Sequence, residues 1–184
     1  MAYLLHLNGP PGIGKSTIAR RYADEHSGVL NCDIDVLRTL IGGWSNDFLK
    51  AGSLIRPAAL AMIEGYLASG QDVVLPQLLI DPAEISLFEA CAVQANAQFI
   101  ERLLMDDAER SVARFNRRGE TDPYGPWHSQ VQAIVAAQGG DDALRKRHSV
   151  LRALPDQRPD VIVIQSSEGA VEDTYQHLLA SLLE

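Results

Sequence analysis

Short apolar runs of strand length alternate along the chain with longer stretches whose apolar residues recur at the spacing of a helix. The short runs predict five strands, over residues 3–7, 29–32, 73–75, 98–105 and 161–164. The longer stretches predict helices over residues 15–26, 53–68, 82–95, 106–118, 127–138, 142–154 and 171–183, and a helical turn over residues 36–41. This alternation predicts an α/β domain with helices on both faces of a parallel sheet, where ligands bind beyond the carboxyl ends of the strands.

The helix predicted over residues 82–95 has the best-marked start in the chain, Asp81-Pro82-Ala83-Glu84. Asp81 can accept hydrogen bonds from the first amides of the helix, and Pro82 suits the first turn. Glu84 stands where its side chain can reach back to the cap.

The chain has 184 residues, of which 46% are hydrophobic and 22% charged, as is typical of one globular domain spanning residues 1–184. This composition excludes a disordered, collagen-like or disulfide-rich chain. The net charge of −8 argues against broad binding to nucleic acid or to an anionic membrane. No apolar run has the length of a membrane span, and the N-terminus lacks the basic region of a signal peptide. Cys32 and Cys91 are predicted to be reduced and buried, so we expect a cytoplasmic protein.

A phosphate-binding loop follows the first predicted strand. Its sequence, Gly9-Pro10-Pro11-Gly12-Ile13-Gly14-Lys15-Ser16, matches G-x-x-x-x-G-K-[ST], and a predicted helix comes next. Glycines let backbone amides approach phosphate oxygens, and the helix N-terminus adds partial positive charge. Lys15 would neutralise the β and γ phosphates, and the Ser16 hydroxyl would bind Mg²⁺. The predicted nucleotide-binding residues are Gly9, Pro10, Pro11, Gly12, Ile13, Gly14, Lys15, Ser16 and Thr17.

Group transfer is the use of the nucleotide that fits the rest of the sequence best. The chain has no N-K-x-D sequence for reading guanine, and its length does not hold the machinery of a motor ATPase. Transfer needs an acid that orients the acceptor hydroxyl beside the phosphate loop. Asp33 and Asp35 follow the second predicted strand, and we expect Asp35 to be the base while either acid joins Ser16 as a Mg²⁺ ligand. Capping of the next helix by both acids is the alternative.

Arg110, Arg114 and Arg118 recur every four residues and form one stripe on the helix predicted over residues 106–118. We expect a lid over about residues 106–140, in which Arg114 and Arg118 neutralise the transferring phosphoryl group and Arg114 also contacts the nucleotide. The polar and aromatic loop over residues 119–128 would belong to the same lid. A solvated helix face that pairs with nearby acids is the alternative.

Together these residues resemble the small P-loop kinases, and are similar in pattern to chloramphenicol phosphotransferase, the zeta-toxin-like kinases and the tunicamycin-resistance ATP-binding proteins. The resemblance to the last group extends to about residue 120 and includes Leu75-Pro76, Asp81-Pro82 and the stretch from Leu104 to Arg118. It implies a three-layer fold with a five-stranded parallel sheet in the order 2-3-1-4-5 and a helical lid. It also implies ATP as the donor and a catalytic acid at the position of Asp35.

The third predicted strand departs from the usual P-loop pattern. Many P-loop proteins end this strand with an aspartate that helps to hold Mg²⁺, whereas this chain continues Leu75-Pro76-Gln77. Ser16 and an acid from Asp33 or Asp35 would then carry more of the metal shell.

Three residues are candidates for binding the acceptor: Trp44, Arg56 and Gln77. An aromatic ring beside polar groups suits a sugar-like or ring-bearing alcohol, although core packing explains Trp44 equally well. Arg56 is a candidate for gripping a substrate anion, with a surface role as its alternative. Gln77 stands at the carboxyl end of a strand.

The sequence thus predicts an ATP- and Mg²⁺-dependent kinase that phosphorylates a hydroxyl of a small molecule, acting as a monomer or homodimer. Antibiotic inactivation is a purpose that the resemblance alone suggests. Two alternatives stay open: a nucleoside or nucleotide kinase, and an ATP-binding protein that sequesters a ligand without transferring phosphate.

Overall fold

The structure is a computed structural model that describes residues 1–121 and 126–183, without the side chains of residues 119–121 and 126–128. Residues 122–125 of the loop predicted over residues 119–128 therefore lie outside the described residues, and the backbone of the other six belongs to two helices. The strands are β1 Tyr3–Asn8, β2 Leu30–Asn31, β3 Val73–Pro76, β4 Gln98–Met105 and β5 Ile162–Gln165. The helices are α1 Lys15–Glu25, α2 Ile34–Arg38, α3 Phe48–Ala68, α4 Pro82–Gln94, α5 Ala108–Thr121, α6 Pro126–Ala137, α7 Asp141–Arg152, α8 Leu154–Gln157 and α9 Val171–Ser181.

The five strands form one parallel sheet in the order β2-β3-β1-β4-β5, with helices around it, so the predicted fold class and strand order are confirmed. In the pair of β1 with β3, Leu4 lies opposite Val73 and Leu7 opposite Pro76. All four residues of β3 are buried. This explains why β3 reads as a continuous apolar run, as expected for a strand of a parallel sheet.

Helix α3 begins at Phe48, five residues before the predicted start at residue 53. Asp47 caps it by accepting a hydrogen bond from the Lys50 amide at 3.0 Å. Pro57 lies inside the helix, although proline is more usual in the first turn. The prediction was wrong here because buried Ala51 continues the packed face of the helix on the N-terminal side of the proline.

The connection after β2 also differs from the prediction. Strand β2 ends at Asn31, and α2 begins at Ile34, two residues before the helical turn predicted over residues 36–41, so Asp33 is still extended while Asp35 is helical. Asp33 is the N-cap of α2 and Asp35 belongs to its first turn. The two acids therefore have different local surroundings.

The chain divides into two compact units, one of Met1–Asn8 and Lys15–Arg102 and the other of Gly9–Gly14 and Leu103–Glu184. The first unit contains the start of α1, the acids after β2 and the segment after β3. The second contains the glycines of the phosphate loop and the helix with the arginine stripe. The single domain over residues 1–184 stays a prediction.

Within the described ranges, no helix combines the length and the apolar character that crossing a membrane requires. Cys32 and Cys91 are both buried and not joined in a disulfide, as predicted.

Candidate functional site

The glycines of the phosphate loop occupy backbone conformations that other residues rarely adopt. Gly9, Gly12 and Gly14 have φ angles of 145°, 80° and 107°. A Cβ atom at Gly9 would press against the Leu104 carbonyl oxygen, and one at Gly12 would lie 3.3 Å from Phe115 Cα. The loop therefore needs glycine for its conformation and for close packing in the second unit.

Arg114 lies against the end of this loop. A Cβ atom at Gly14 would lie 3.1 Å from Arg114 Nη2, and Arg114 Nη1 donates to the Ser166 carbonyl at 3.1 Å. Ser166, which is buried, donates from its hydroxyl to the Ile13 carbonyl at 3.0 Å. Burial lowers the pKa of Arg114, and Glu168 opposes this effect. One predicted arginine thus contacts the loop through its own guanidinium and through Ser166.

The other arginines of the stripe lie differently. Arg110 is largely exposed, and its Nη1 lies 4.0 Å from Asp106 Oδ1. Arg117, which is outside the stripe, forms an ion pair with Glu168. Arg118 is exposed near the end of α5. The structure therefore brings Arg114 to the phosphate loop and leaves Arg118 on the surface.

The start of α1 follows the loop directly in the chain and carries the remaining predicted phosphate ligands. Ser16 and Thr17 are exposed in the first turn, and this turn contains no acidic residue. A helix N-terminus favours anions, so Lys15 at this point is locally unfavourable unless an anion binds there. The absence of a competing carboxylate in this turn, together with the glycine conformations, fits a phosphate-binding loop.

Asp33 and Asp35 have separate roles in α2. Asp33 Oδ1 accepts a hydrogen bond from the Asp35 amide at 3.0 Å, so the capping alternative holds for Asp33. The Asp35 side chain is 27% exposed, and its Oδ1 lies 3.3 Å from Arg38 Nη1. The pKa of Asp35 is raised to about 6, chiefly by burial and also by the charge of Asp33. The charges of Arg38, Lys15 and Arg56 oppose this rise.

Arg38 is a residue of this site that the sequence reasoning missed. It is only 8% exposed, and its guanidinium carbon lies 4.0 Å from the centroid of the Phe48 ring. The guanidinium also lies against Gly52, where a Cβ atom would be 3.1 Å from Arg38 Nη2. Its position three residues after Asp35 on a helix was a signal that could have found it.

Arg56 is held by an acid from another helix. Its Nη1 donates to Glu84 Oε1 at 2.6 Å, with both side chains partly exposed. Glu84, which the sequence placed as a possible partner of the α4 cap, thus directs its carboxylate to Arg56. Asp81 caps α4 as predicted, by accepting from the Ala83 amide at 2.9 Å.

Gln77 follows β3 and is fixed by a buried polar network. His6 Nε2 donates to the Gln77 carbonyl at 2.9 Å, and Asn8 Nδ2 donates both to the Leu79 carbonyl and to Glu101 Oε1. The Leu79 amide donates back to Asn8 Oδ1 at 3.1 Å. Gln77 is buried, and within the described residues its Oε1 atom has no hydrogen-bond partner. This acceptor atom is a place where a ligand hydroxyl could donate.

Trp44 lies half-buried between α2 and α3, where its amide donates to the Ile41 carbonyl at 3.1 Å. No cluster of three or more His, Cys, Asp or Glu side chains that could hold a metal ion occurs in the part of the chain that the structure describes. Trp44 as an acceptor ligand, and Ser16, Asp33 and Asp35 as Mg²⁺ ligands, stay predictions.

Ser166 and Glu84 are further residues whose contacts the sequence reasoning did not find. Ser166 follows β5, and residues at the carboxyl ends of parallel strands are where ligands bind, so its place in the chain was a usable signal. For Glu84 no comparable signal exists, because Arg56 lies 28 residues away on another helix.

The sheet order and the glycine loop define a P-loop fold, so the resemblance seen in the sequence is confirmed at the level of the fold. A family model for an AAA domain matches residues 4–138, and the chain belongs to this family. No curated protein sequence matches the chain.

Two solved structures show how far the fold extends. A gluconokinase from Sinorhizobium meliloti 1021 has a TM-score of 0.63 and 17% identity, covering 97% of this chain and 90% of its own. The tunicamycin resistance protein of Deinococcus radiodurans has a TM-score of 0.63 and 16% identity, covering 99% of this chain and 96% of its own. At these identities the likeness shows a shared fold over almost the whole chain.

Proposed function

We propose that the protein is an ATP-dependent phosphotransferase that moves the γ-phosphate to a hydroxyl of a small molecule. The observation that carries the proposal is the position of the Asp35 carboxyl. It is partly buried, and the charge of Lys15, the lysine of the phosphate loop, acts on it electrostatically. An acid so placed suits an acceptor hydroxyl that must meet the γ-phosphate. The kinase-type fold supports this assignment.

In this proposal the backbone amides of the phosphate loop, Lys15 and Thr17 bind the triphosphate. Ser16, with Asp33 or Asp35, would hold Mg²⁺, which when bound neutralises phosphate charge. Arg114, which lies against Gly14, neutralises charge on the phosphoryl group, and Arg118 would reach it from the lid.

Asp35 accepts the proton of the acceptor hydroxyl as the hydroxyl oxygen forms its bond to the γ-phosphorus. The bond from phosphorus to the β,γ-bridging oxygen breaks at the same time, and ADP leaves. Gln77 and Arg56 would orient the acceptor, and the unpartnered Gln77 Oε1 atom supports a contact with an acceptor hydroxyl. Trp44 would supply an apolar surface for a ring.

The test is incubation with ATP, Mg²⁺ and a panel of hydroxyl compounds, followed by mass spectrometry for an added phosphate. The panel includes sugars, nucleosides, nucleoside monophosphates and antibiotics, since one structural neighbour is a tunicamycin resistance protein. Asp35→Asn should lower kcat by roughly 10²–10⁴-fold, the usual contribution of a general base. Asp24→Asn, which removes an exposed acid of α1, is the matched control and should leave kcat unchanged.

Transfer by Asp35→Asn at the rate of the unchanged protein would contradict the role of Asp35. Phosphorylation of nucleosides or nucleoside monophosphates alone would favour a nucleoside or nucleotide kinase.

A second candidate function is a protein that binds ATP and a ligand without transfer. The end of β3 favours this candidate. The strand ends in Leu75-Pro76, followed by Gln77, and so lacks the acid that is a usual Mg²⁺ ligand at this point. Binding of both molecules with no phosphate transferred to any compound of the panel would establish this candidate.

A further inference from the structure

The charges around Asp35 decide which acceptors can approach it. Among the described residues, the charges of Arg38, Asp33, Lys15 and Arg56 act on the Asp35 carboxyl. Lys15 belongs to the phosphate loop, so under the proposed function its positive charge neutralises the phosphates of the nucleotide. Of these four groups, the two guanidiniums are then the cations that could receive an anionic group of the acceptor.

Arg38 is not accessible to such a group. Its guanidinium packs on the Phe48 ring at 4.0 Å and against Gly52, and its Nη1 atom points to Asp35 Oδ1 at 3.3 Å. Its Nε atom is buried and lacks a hydrogen-bond partner among the residues described. Arg38 therefore compensates the charge of Asp35 and offers no open face to a ligand.

Arg56 already has an anion. Glu84 Oε1 accepts from Arg56 Nη1 at 2.6 Å, a short charge-assisted bond. An acceptor with a carboxylate or phosphate would have to compete with this carboxylate for the Arg56 guanidinium. If it did not, it would meet Asp33, Asp35 and Glu84, whose charges already equal in number those of Arg38, Arg56 and Lys15, so that no excess positive charge is left for it. The magnesium–ATP complex is itself an anion and adds to the repulsion.

From this arrangement we propose that the acceptor is an uncharged hydroxyl compound and that Glu84 selects against acceptors that carry a carboxylate or a phosphate. The proposal rests on the proposed function and narrows its substrate class. Under this proposal Arg56, whose guanidinium pairs with Glu84, would orient a neutral acceptor instead of gripping a substrate anion. Rejection of like charge is a common source of specificity.

The test compares matched acceptors that differ in one anionic group: glucose with gluconate, glycerol with glycerate, and uridine with uridine monophosphate. With ATP and Mg²⁺, kcat/KM for the neutral member of an active pair should exceed that of the anionic member by at least about tenfold, a change of about 1.4 kcal/mol. Glu84→Gln keeps the shape of the side chain but releases Arg56. It should reduce the preference by a similar factor, chiefly by lowering KM for the anionic member.

Glu25→Gln is the matched control, because Glu25 also pairs with an arginine, Arg21, at 2.8 Å and is similarly exposed, at 47% against 40% for Glu84. This variant removes the same charge from the chain and should leave the preference unchanged. Circular dichroism melting would show that both variants fold.

Preference for the anionic member by the unchanged protein, or a preference that Glu84→Gln leaves intact, would overturn this inference while the kinase assignment stands. Transfer to no member of any pair or of the wider panel would overturn the proposed function and this inference with it.

Discussion

Asp35 is the residue in which burial and charge oppose each other most clearly. Burial disfavours its carboxylate, while Arg38 at 3.3 Å favours it, and the result is a pKa of about 6. A carboxyl of this kind is ionised at neutral pH yet holds a proton more readily than an ordinary aspartate. This suits a base that must accept a proton from a hydroxyl and then release it.

The titration of Asp35 can be observed directly. In protein free of metal and nucleotide, a carbon-13 NMR titration of the Asp35 carboxyl should have its midpoint at about 6. Arg38→Met removes the largest favourable charge and should raise the midpoint further. Since the deprotonated form is the active base, transfer should decline as the pH falls and Asp35 takes up a proton.

Arg21→Met breaks a surface ion pair and serves as the control, with no expected change in the titration. A midpoint near 4 in the unchanged protein, the ordinary value for aspartate, would show that burial has little effect at this position.

At the scale of elements, the phosphate loop is supported by α5 and by the residues that follow β5. Phe115 packs against Gly12, Arg114 lies against Gly14, and Ser166 bonds the Ile13 carbonyl. These contacts lie within the second unit and fix the backbone that would present its amides to a phosphate.

The contribution of this support can be separated from backbone strain by two glycine substitutions. Gly14 and Gly139 have similar φ angles, 107° and 112°, but a Cβ atom at Gly139 would meet nothing within 4 Å. Gly14→Ala and Gly139→Ala should each cost roughly 1–2 kcal/mol of stability, because the positive φ strains any other residue. Only Gly14→Ala should also weaken ATP binding, by at least tenfold in calorimetry, since it displaces Arg114.

Equal ATP affinity in the two variants would mean that the contact between Arg114 and Gly14 does not matter for the nucleotide. A loss of affinity in Gly139→Ala alone would place the important support elsewhere.

For the whole molecule, nucleotide binding should be visible as thermal stability. A ligand present at 100 times its Kd adds about 2.7 kcal/mol, which for a chain of this size raises Tm by roughly 5–11 °C. Magnesium–ATP should therefore raise Tm by about this amount, and Lys15→Ala should remove most of the shift. Lys50→Ala, at an exposed position of α3, is the control and should retain it.

The absence of any shift with ATP or GTP in the unchanged protein would contradict the assignment of the phosphate loop. It would do so independently of the acceptor, because the measurement needs none.

The fold was largely predictable because its signals are local. The periodicity gave all five strands, and β4 matches its predicted residues 98–105. Boundaries failed where tertiary packing overrode a local signal, as at Pro57 inside α3. They failed again where a helix predicted over residues 142–154 ends at Arg152 and a short helix with Pro155 in its first turn follows.

By itself the sequence determined the phosphate loop, because the loop is contiguous and its glycines meet a backbone requirement that nothing else satisfies. It also determined the place of Asp35 after a strand. Only the tertiary structure decided that Arg38 is sealed beside Asp35 and that Arg56 faces Glu84. It alone decided that Arg114 meets Ser166, 52 residues away. The physical reason is that pairing between distant charged side chains depends on how helices pack. The spacing of residues along one helix does not specify which residues of another helix will lie against it.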